Sequence, residues 1–437
     1  MEELALVAIF LFVLFLLLGT GVWVGLALLG VAYVGMELFT GRPVGPAMIT
    51  TIWATSSSWT LTALPLFIWM GEILYRTRLS EDMFAGLAPW LRGLPGGLIH
   101  TNILGCTVFA AVSGSSAATL TTVGKMSIPE LRRREYPEHM VIGTLAGAAT
   151  LGLMVPPSLI LIVYGVTINE SISELFIAGV LPGLVLASMF MGYAALYAGF
   201  ARDWNPKPEA AMGWHERMRS VRLLLPVLLL VLFVIGSMYL GFATATEAAA
   251  LGVSGALVLA SSQGALNWRT FRASLMGAVH TSAMVALILA GAAFLTLAMG
   301  FTGLPRALAG WIADLELSRF ALLMALLAFY IVVGCFLDGI SAVVLTMAVV
   351  EPMVRQAGID MIWFGIFVVV VVEMAQITPP IGFNLFVLQG MTQHEIGYVA
   401  RAALPMFLIM VAMVFVLIAV PELATWLPGR MSGPPPA

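Results

Sequence analysis

Ser113-Gly114-Ser115-Ser116-Ala117 and Val155-Pro156-Pro157-Ser158 decide how this chain is read. Both are short runs of small, polar or helix-breaking residues inside strongly apolar sequence. Unpaired backbone groups in hydrocarbon cost several kcal/mol each, roughly, and persist only inside protein or beside a water-filled cavity. Breaks at that depth are where substrates and ions bind. Each break is therefore a candidate site.

The layout occurs twice. Asp338-Gly339-Ile340-Ser341-Ala342 matches the first break at an offset of 225, and Thr378-Pro379-Pro380-Ile381 matches the second at 223. Leu181-Pro182 recurs as Leu404-Pro405 at 223, and Leu26-Ala27-Leu28-Leu29-Gly30 corresponds to Ala248-Ala249-Ala250-Leu251-Gly252 at 222. Four anchors in order, drifting by so little, imply two copies of one unit of roughly 200 residues.

Composition sets the environment. The 437 residues are 61% hydrophobic and only 10% charged, with a mean hydropathy of +1.02; soluble domains carry roughly a quarter charged residues. The expectation is an all-α polytopic membrane protein. Nucleic-acid binding is excluded as a function class, and the net charge of -3 says little about partners. Cys106 and Cys335 both lie in apolar segments, so they read as packing residues rather than a disulfide or metal pair. Glu2 and Glu3 stand where a signal peptide would carry Lys or Arg, so residues 4–18 read as a retained first span.

A span needs about 20 apolar residues for a bilayer of about 30 Å. Such runs fall at 4–18, 22–39, 48–74, 140–166 and 176–200 in the first copy, residues 1–200. An amphipathic stretch at 75–94 suits a helix along the interface. At 96–125 two apolar flanks, neither long enough to span alone, surround the Ser-Gly-Ser-Ser break, which predicts a re-entrant hairpin. Residues 201–222 form a polar, cytoplasmic linker. The second copy, 223–428, repeats the order: runs at 223–240, 244–262 and 274–300, an interfacial stretch at 301–319, a hairpin at 320–350, then runs at 361–389 and 402–420. A Pro-rich tail, 429–437, is expected to be disordered.

Five crossings per copy is an odd number, so consecutive copies sit upside-down relative to each other, as inverted-topology repeats. With both termini periplasmic, the cytoplasmic segments hold 15 of the 20 Lys and Arg, leaving Arg42, Arg306, Arg319, Arg355 and Arg430 outside. That is the positive-inside bias. Arg132-Arg133-Arg134 reads as a solvated cytoplasmic loop, and Trp311 and Trp363 as members of an interfacial belt.

Helix ends freed at such breaks offer carbonyls to a cation, and half-helix amides favour an anion. Hydroxyls of Ser113, Ser115, Ser116, Ser341 and Thr378 add neutral oxygens, and a hard cation such as sodium suits that oxygen set. Pro156-Pro157 and Pro379-Pro380 remove amide donors and leave carbonyls unpaired. A lone Gly/Ser cluster serves close helix packing as readily as binding; the repeated pairing of hairpin and Pro-Pro break favours binding. Two similar cation sites result, with an anionic substrate between them. Ser115, Ser158, Asp338 and Asn384 are the candidate substrate ligands, and Glu373 and Glu247 are weaker candidates as ionisable residues in the membrane. No motif for nucleotide binding, nucleophilic catalysis, haem or zinc is found, so neither an enzyme nor a cofactor is expected, and no metal beyond sodium.

Val112-Ser113-Gly114-Ser115-Ser116-Ala117, Gly152-Leu153-Met154-Val155-Pro156-Pro157-Ser158, Thr244-Ala245-Thr246-Glu247-Ala248 and Ile377-Thr378-Pro379-Pro380-Ile381-Gly382 together resemble the large membrane subunit of TRAP transporters, the tripartite ATP-independent periplasmic carriers. The resemblance runs from about residue 4 to 428. It implies a bacterial inner-membrane symporter that uses sodium to import small organic acids by an elevator movement. It also implies two partners: a small four-span membrane subunit and a periplasmic substrate-binding protein. Carried over by motif, it implies one sodium site at Ser113, Ser116, Gly152, Val155 and Pro157, and a second at Gly339, Thr378 and Ile381 with Ser341 nearby. Ahead of the second Pro-Pro break, where many members have Asn-Gly, this chain has Glu373-Met374-Ala375-Gln376. The fused form of the family carries the small subunit on the same chain; the start of this one leads to the expectation of a separate partner. The rival readings are a stand-alone sodium- or proton-coupled anion carrier of the same superfamily and a non-transport membrane subunit of an enzyme complex.

Overall fold

The computed structural model describes residues 2–201, 204, 213–303, 310, 317–380 and 382–431. Among these residues every regular element is helical. The first half comprises α1 (Glu2–Gly19), α2 (Val24–Phe39), α3 (Val44–Ser56), α4 (Ala63–Tyr75), α5 (Leu79–Leu91), α6 (Ile99–Ser113), α7 (Ser116–Arg133), α8 (Glu138–Ala149), the single turn α9 (Leu151–Met154), α10 (Leu159–Ile168) and α11 (Ile172–Phe200). The second comprises α12 (Trp214–Tyr239), α13 (Ala245–Ser262), α14 (Trp268–Thr302), α15 (Arg319–Gly334), α16 (Gly339–Gln356), α17 (Met361–Ala375), α18 (Phe383–Thr392) and α19 (Ile396–Ala419), closed by the short turns α20 (Glu422–Thr425) and α21 (Pro428–Met431).

Among the described residues six helices, α11, α12, α13, α14, α16 and α19, are long and apolar enough to cross a membrane. A seventh span is the pair α8–α9 and α10, bent by 40° at the first Pro-Pro break. The chain is thus a polytopic membrane protein. Several expected runs are not single rods. The run at 48–74 is α3, a 3-10 turn at Thr60–Thr62 and α4, because Ser56-Ser57-Ser58 interrupts the apolar sequence. The run at 361–389 is α17 and α18, separated by the second Pro-Pro break.

Other expectations need correction. The linker is helical from Trp214, where the Gly213 amide donates to Glu216 Oε2 at 3.2 Å and opens α12. Residues 429–431 of the tail belong to α21, while 432–437 lie outside the described residues. So do 304–309 and 311–316 of the second interfacial stretch, Trp311 included. Trp363 is buried, and its indole Nε1 donates to Leu417 O at 3.2 Å, so it packs in the core instead of marking an interface. Arg132 and Arg133 are exposed as expected, but they end a helix, α7, where a loop was expected. Arg132 is paired with Glu138, and Arg133 and Arg134 both reach Glu130.

Helix ends are where the sequence speaks most directly. Ser115, Ser158, Ser318, Asp338 and Asp360 each cap a helix by accepting a backbone amide one turn in, which satisfies donors that have no partner inside the helix. Asn169 and Gln393 close α10 and α18 in the left-handed conformation.

Packing divides the helices into two groups. In one, α14 lies against α2, α3 and α4, α13 against α4 and α12, and α12 against α5. In the other, α6 packs on α7 and α8, α15 on α17, α8 on α19, and α11 on α17. The groups meet where α4 and α5 touch α6 and where α14 touches α16. Within the second group the halves interlock crosswise: α7 packs on α18, and α16 packs on α10. All of α17 is buried.

Candidate functional site

The first break assembles from both of its predicted halves. Gly114, at φ +59, ends α6 in the left-handed region where glycine is favoured. A Cβ there would lie 2.9 Å from Pro157 O, and the Leu159 amide donates to Gly114 O at 3.4 Å. Hairpin tip and Pro-Pro segment are thus in direct contact. Gly152 sits under the tip: a Cβ on it would meet Ser115 C, Ser115 O and Ser116 Cα, all at 2.8 Å. Only hydrogen fits. Ser113 Oγ shares a proton with Thr119 Oγ1 at 2.8 Å and donates to Ser115 O at 3.3 Å. Val155 is extended, at φ -78 and ψ 124, and its side chain abuts Gly183. Pro156-Pro157 is a cis peptide. Ser113, Ser116, Gly152, Val155 and Pro157 therefore belong to one local assembly.

The second break is similar in plan. Pro379-Pro380 is also cis. Gly339, at the start of α16, would place a Cβ 3.2 Å from Val372 Cγ1 and 3.3 Å from both Gln376 Nε2 and Ile160 Cδ1. The Cys335 thiol donates to Pro379 O at 3.4 Å and approaches Thr378 O at 3.7 Å. Thr378 Oγ1 donates to Met374 O at 2.8 Å. Ser341 is buried with its Oγ unpartnered. Gly339 and Thr378 thus lie at the end of α17, Ser341 follows two residues into α16, and Ile381 lies outside the described residues. The two breaks differ in exposure: Pro156 and Pro157 are buried, whereas Pro379 and Pro380 are exposed.

The four candidate substrate residues fare differently. Ser158 is buried and fully used, donating to Leu153 O and accepting from the Leu161 amide, so it is a cap with no free hydrogen bond to give a ligand. Ser115 caps α7, accepting from the Ala118 amide at 3.4 Å. Asp338 is exposed and accepts from the Ile340 and Ser341 amides at 3.1 and 3.2 Å. Asn384 is 0% exposed, and neither side-chain polar atom has a partner. A buried amide left unmatched costs about 1–3 kcal/mol, and a ligand is one way to recover it.

Glu247 is not a site residue; it caps α13, accepting the Thr244 amide and hydroxyl at 2.8 Å. Glu373 matters more than its sequence rank. It lies in α17 of the second half, yet its Oε1 is 3.5 Å from Ser116 Oγ at the first hairpin tip. Gln376 and Cys335, which contact the second break, were not legible as site residues. Gln376 carries no sequence signal, and Cys335 reads as ordinary packing until the fold sets it beside Pro379. Among the described residues no group of three or more His, Cys, Asp or Glu could hold a metal.

Comparison with known proteins identifies the family. Residues 11–423 match the family model for the DctM component of tripartite ATP-independent periplasmic transporters. The C4-dicarboxylate TRAP transporter large permease protein of Pseudomonas aeruginosa is 31% identical over 86% of this chain and 88% of its own length. The isethionate TRAP transporter permease protein of Oleidesulfovibrio alaskensis is 30% identical over 96% of this chain, which spans 65% of that relative's length. Among solved structures, the Alcanivorax borkumensis YdaH transporter superposes with a TM-score of 0.65 over 93% of this chain and 97% of its own, at 14% identity. That likeness concerns the fold alone. A family match over nearly the whole chain makes this protein a member of the DctM component family, the large permease subunits of tripartite ATP-independent periplasmic transporters.

Proposed function

We propose that the chain is the sodium-coupled permease subunit of an importer for a small organic acid, resident in the bacterial inner membrane with both termini periplasmic. Two inverted repeats, 1–200 and 223–428, each supply a re-entrant hairpin and a broken helix, and each pair forms one sodium site. The observation that carries this reading is the direct contact of each hairpin with its own Pro-Pro break, through Gly114 against Pro157 in one half and Cys335 against Pro379 in the other. Crosswise packing of α7 on α18 and α16 on α10 supports the repeat. The positive-inside distribution supports the orientation.

An elevator movement is supported by where the breaks lie. Both are in the group built from α6–α11 and α15–α19, while α1–α5 and α12–α14 form the other group, which meets it where α4 and α5 touch α6 and α14 touches α16. The former would carry ion and cargo past the latter. The relatives' C4-dicarboxylate and isethionate names support a small organic anion as cargo, with Asn384 as a cargo ligand. A small four-span subunit and a periplasmic substrate-binding protein complete the transporter.

The test is uptake into proteoliposomes holding the permease and its small subunit, with the binding protein added and a C4-dicarboxylate as cargo. The reading predicts accumulation driven by an inward sodium gradient, and none with a proton gradient in potassium. Uptake that follows the proton gradient would overturn sodium coupling.

A further inference from the structure

Glu373 sits where a charge is hardest to keep. It is 1% exposed within a helix whose every residue is buried, and its Oε2 has no hydrogen-bond partner. Among the described residues no cationic side chain stands beside it. An ionised carboxylate so buried is strongly unfavourable unless a cation pairs with it, and without one it takes up a proton. The one polar side chain that reaches it is Ser116, itself 4% exposed, at 3.5 Å.

That separation is informative. A hydroxyl donating to a carboxylate closes to about 2.5–3.0 Å. Two oxygens flanking one hard cation at right angles, each about 2.4 Å from it, stand about 3.4 Å apart. We propose that Glu373 is an anionic ligand of the first sodium site, its carboxylate from the second repeat completing a shell otherwise made of neutral oxygens from the first hairpin and the first break. The inference rests on the sodium-coupled reading above and adds to it a ligand from the opposite half of the chain. One ion then ties the hairpin tip at Ser116 to α17, the helix that leads into the second break at Thr378. The two sites are thereby joined through a single helix.

The test is a sodium titration of thermal unfolding, with the permease complex in choline chloride held at constant ionic strength, for the parent, E373Q, E373D and S116A. The account predicts that E373Q is at least as stable as the parent without sodium, since a buried carboxyl that only a proton or a cation neutralises is gone. It predicts a tenfold or greater rise in the sodium concentration giving the half-maximal shift. E373D, whose shorter arm keeps the charge, falls between. Should E373Q fail to fold, E373D carries the test, with a sodium response weaker than the parent's expected while S116A serves as the control for the site itself. A parent-like sodium dependence in the folded Glu373 variant, with the parent still sodium-selective, overturns the inference and leaves the sodium-coupled reading standing. No sodium-selective shift in the parent overturns both.

Discussion

Arg132 and Arg355 make the same bond in opposite directions across the molecule. Arg132, near the end of α7 in the first half, donates from Nη2 to Thr392 O at 3.3 Å, at the end of α18 in the second half. Arg355, near the end of α16 in the second half, donates from Nη2 to Ile168 O at 3.4 Å, at the end of α10 in the first. Each acceptor is the last residue before a left-handed helix cap, Gln393 or Asn169. A carbonyl freed at a helix C-terminus is thus held by a guanidinium from the other half of the chain, which also complements the local dipole.

Removing either strap is expected to cost a similar amount. Arg132→Ala and Arg355→Ala each lose a charge-assisted bond to a carbonyl and their ion pairs, to Glu138 in one case and to Glu351 and Glu170 in the other. Partly exposed pairs are modest, so about 1 kcal/mol each is predicted. Denaturant unfolding of the two variants in the same detergent checks this. Loss of several kcal/mol in one alone would show that the straps are not equivalent.

The Arg132 strap carries a pH dependence. Burial pushes the Glu138 carboxyl up, but hydrogen bonds and charge from Arg132, and then from His394, outweigh it and hold the group below the ordinary 4.5. A carboxyl with a depressed folded value binds its proton less readily when folded. Its contribution is therefore fully present above about pH 4.5 and is lost as pH falls through the folded value. Glu138→Gln is expected to flatten the acid side of the stability profile. An unchanged profile would sink the assignment.

Glycine substitutions separate tight contacts from roomy ones. A methyl at Gly152 meets backbone atoms of Ser115 and Ser116 at 2.8 Å, which cannot swing aside, while one at Gly105 meets only Val123 Cγ1 at 3.5 Å, an ordinary contact. Gly152→Ala is predicted to destabilise by about 1–3 kcal/mol through overpacking. Gly105→Ala should be neutral or slightly stabilising, because alanine restricts the unfolded chain. Thermal unfolding of the pair decides it, and equal effects would mean that the tip and the break do not touch.

Ser158 and Asn384 should behave oppositely. Ser158→Ala removes a helix cap and is expected to cost about 1 kcal/mol of stability while leaving cargo affinity unchanged. Asn384→Leu replaces an unpartnered buried amide with an apolar group, so stability should hold or rise. Uptake should be lost if that amide binds cargo. Substrate-dependent stabilisation surviving in Asn384→Leu would remove it from the site.

Much of this was legible in the linear sequence because breaks in apolar runs obey strict rules. Ser113 to Ala117 and Val155 to Ser158 announced interrupted helices, and the structure brings them together. The repeat spacing pointed to Gly339 and Thr378 in the same way. What stayed hidden needed three-dimensional pairing. Glu373 is one acidic residue in a long apolar run, and nothing local says that it faces Ser116, 257 positions earlier. Ser158 looked like a ligand because a hydroxyl beside a Pro-Pro break has two equally good uses, and only the helix geometry shows that capping takes it. Trp363 followed the statistics of interface residues, but packing against Leu417 overrides them.

The most direct test of the paired cation sites is thermal unfolding of the purified permease in sodium, potassium and choline chloride at equal ionic strength. A ligand that binds only the folded state stabilises it, by about 2.7 kcal/mol at a hundredfold excess over its dissociation constant. The account predicts a rise in melting temperature selective for sodium, diminished by bulk introduced at Gly152 and, separately, at Gly339. Identical melting in all three salts would contradict it.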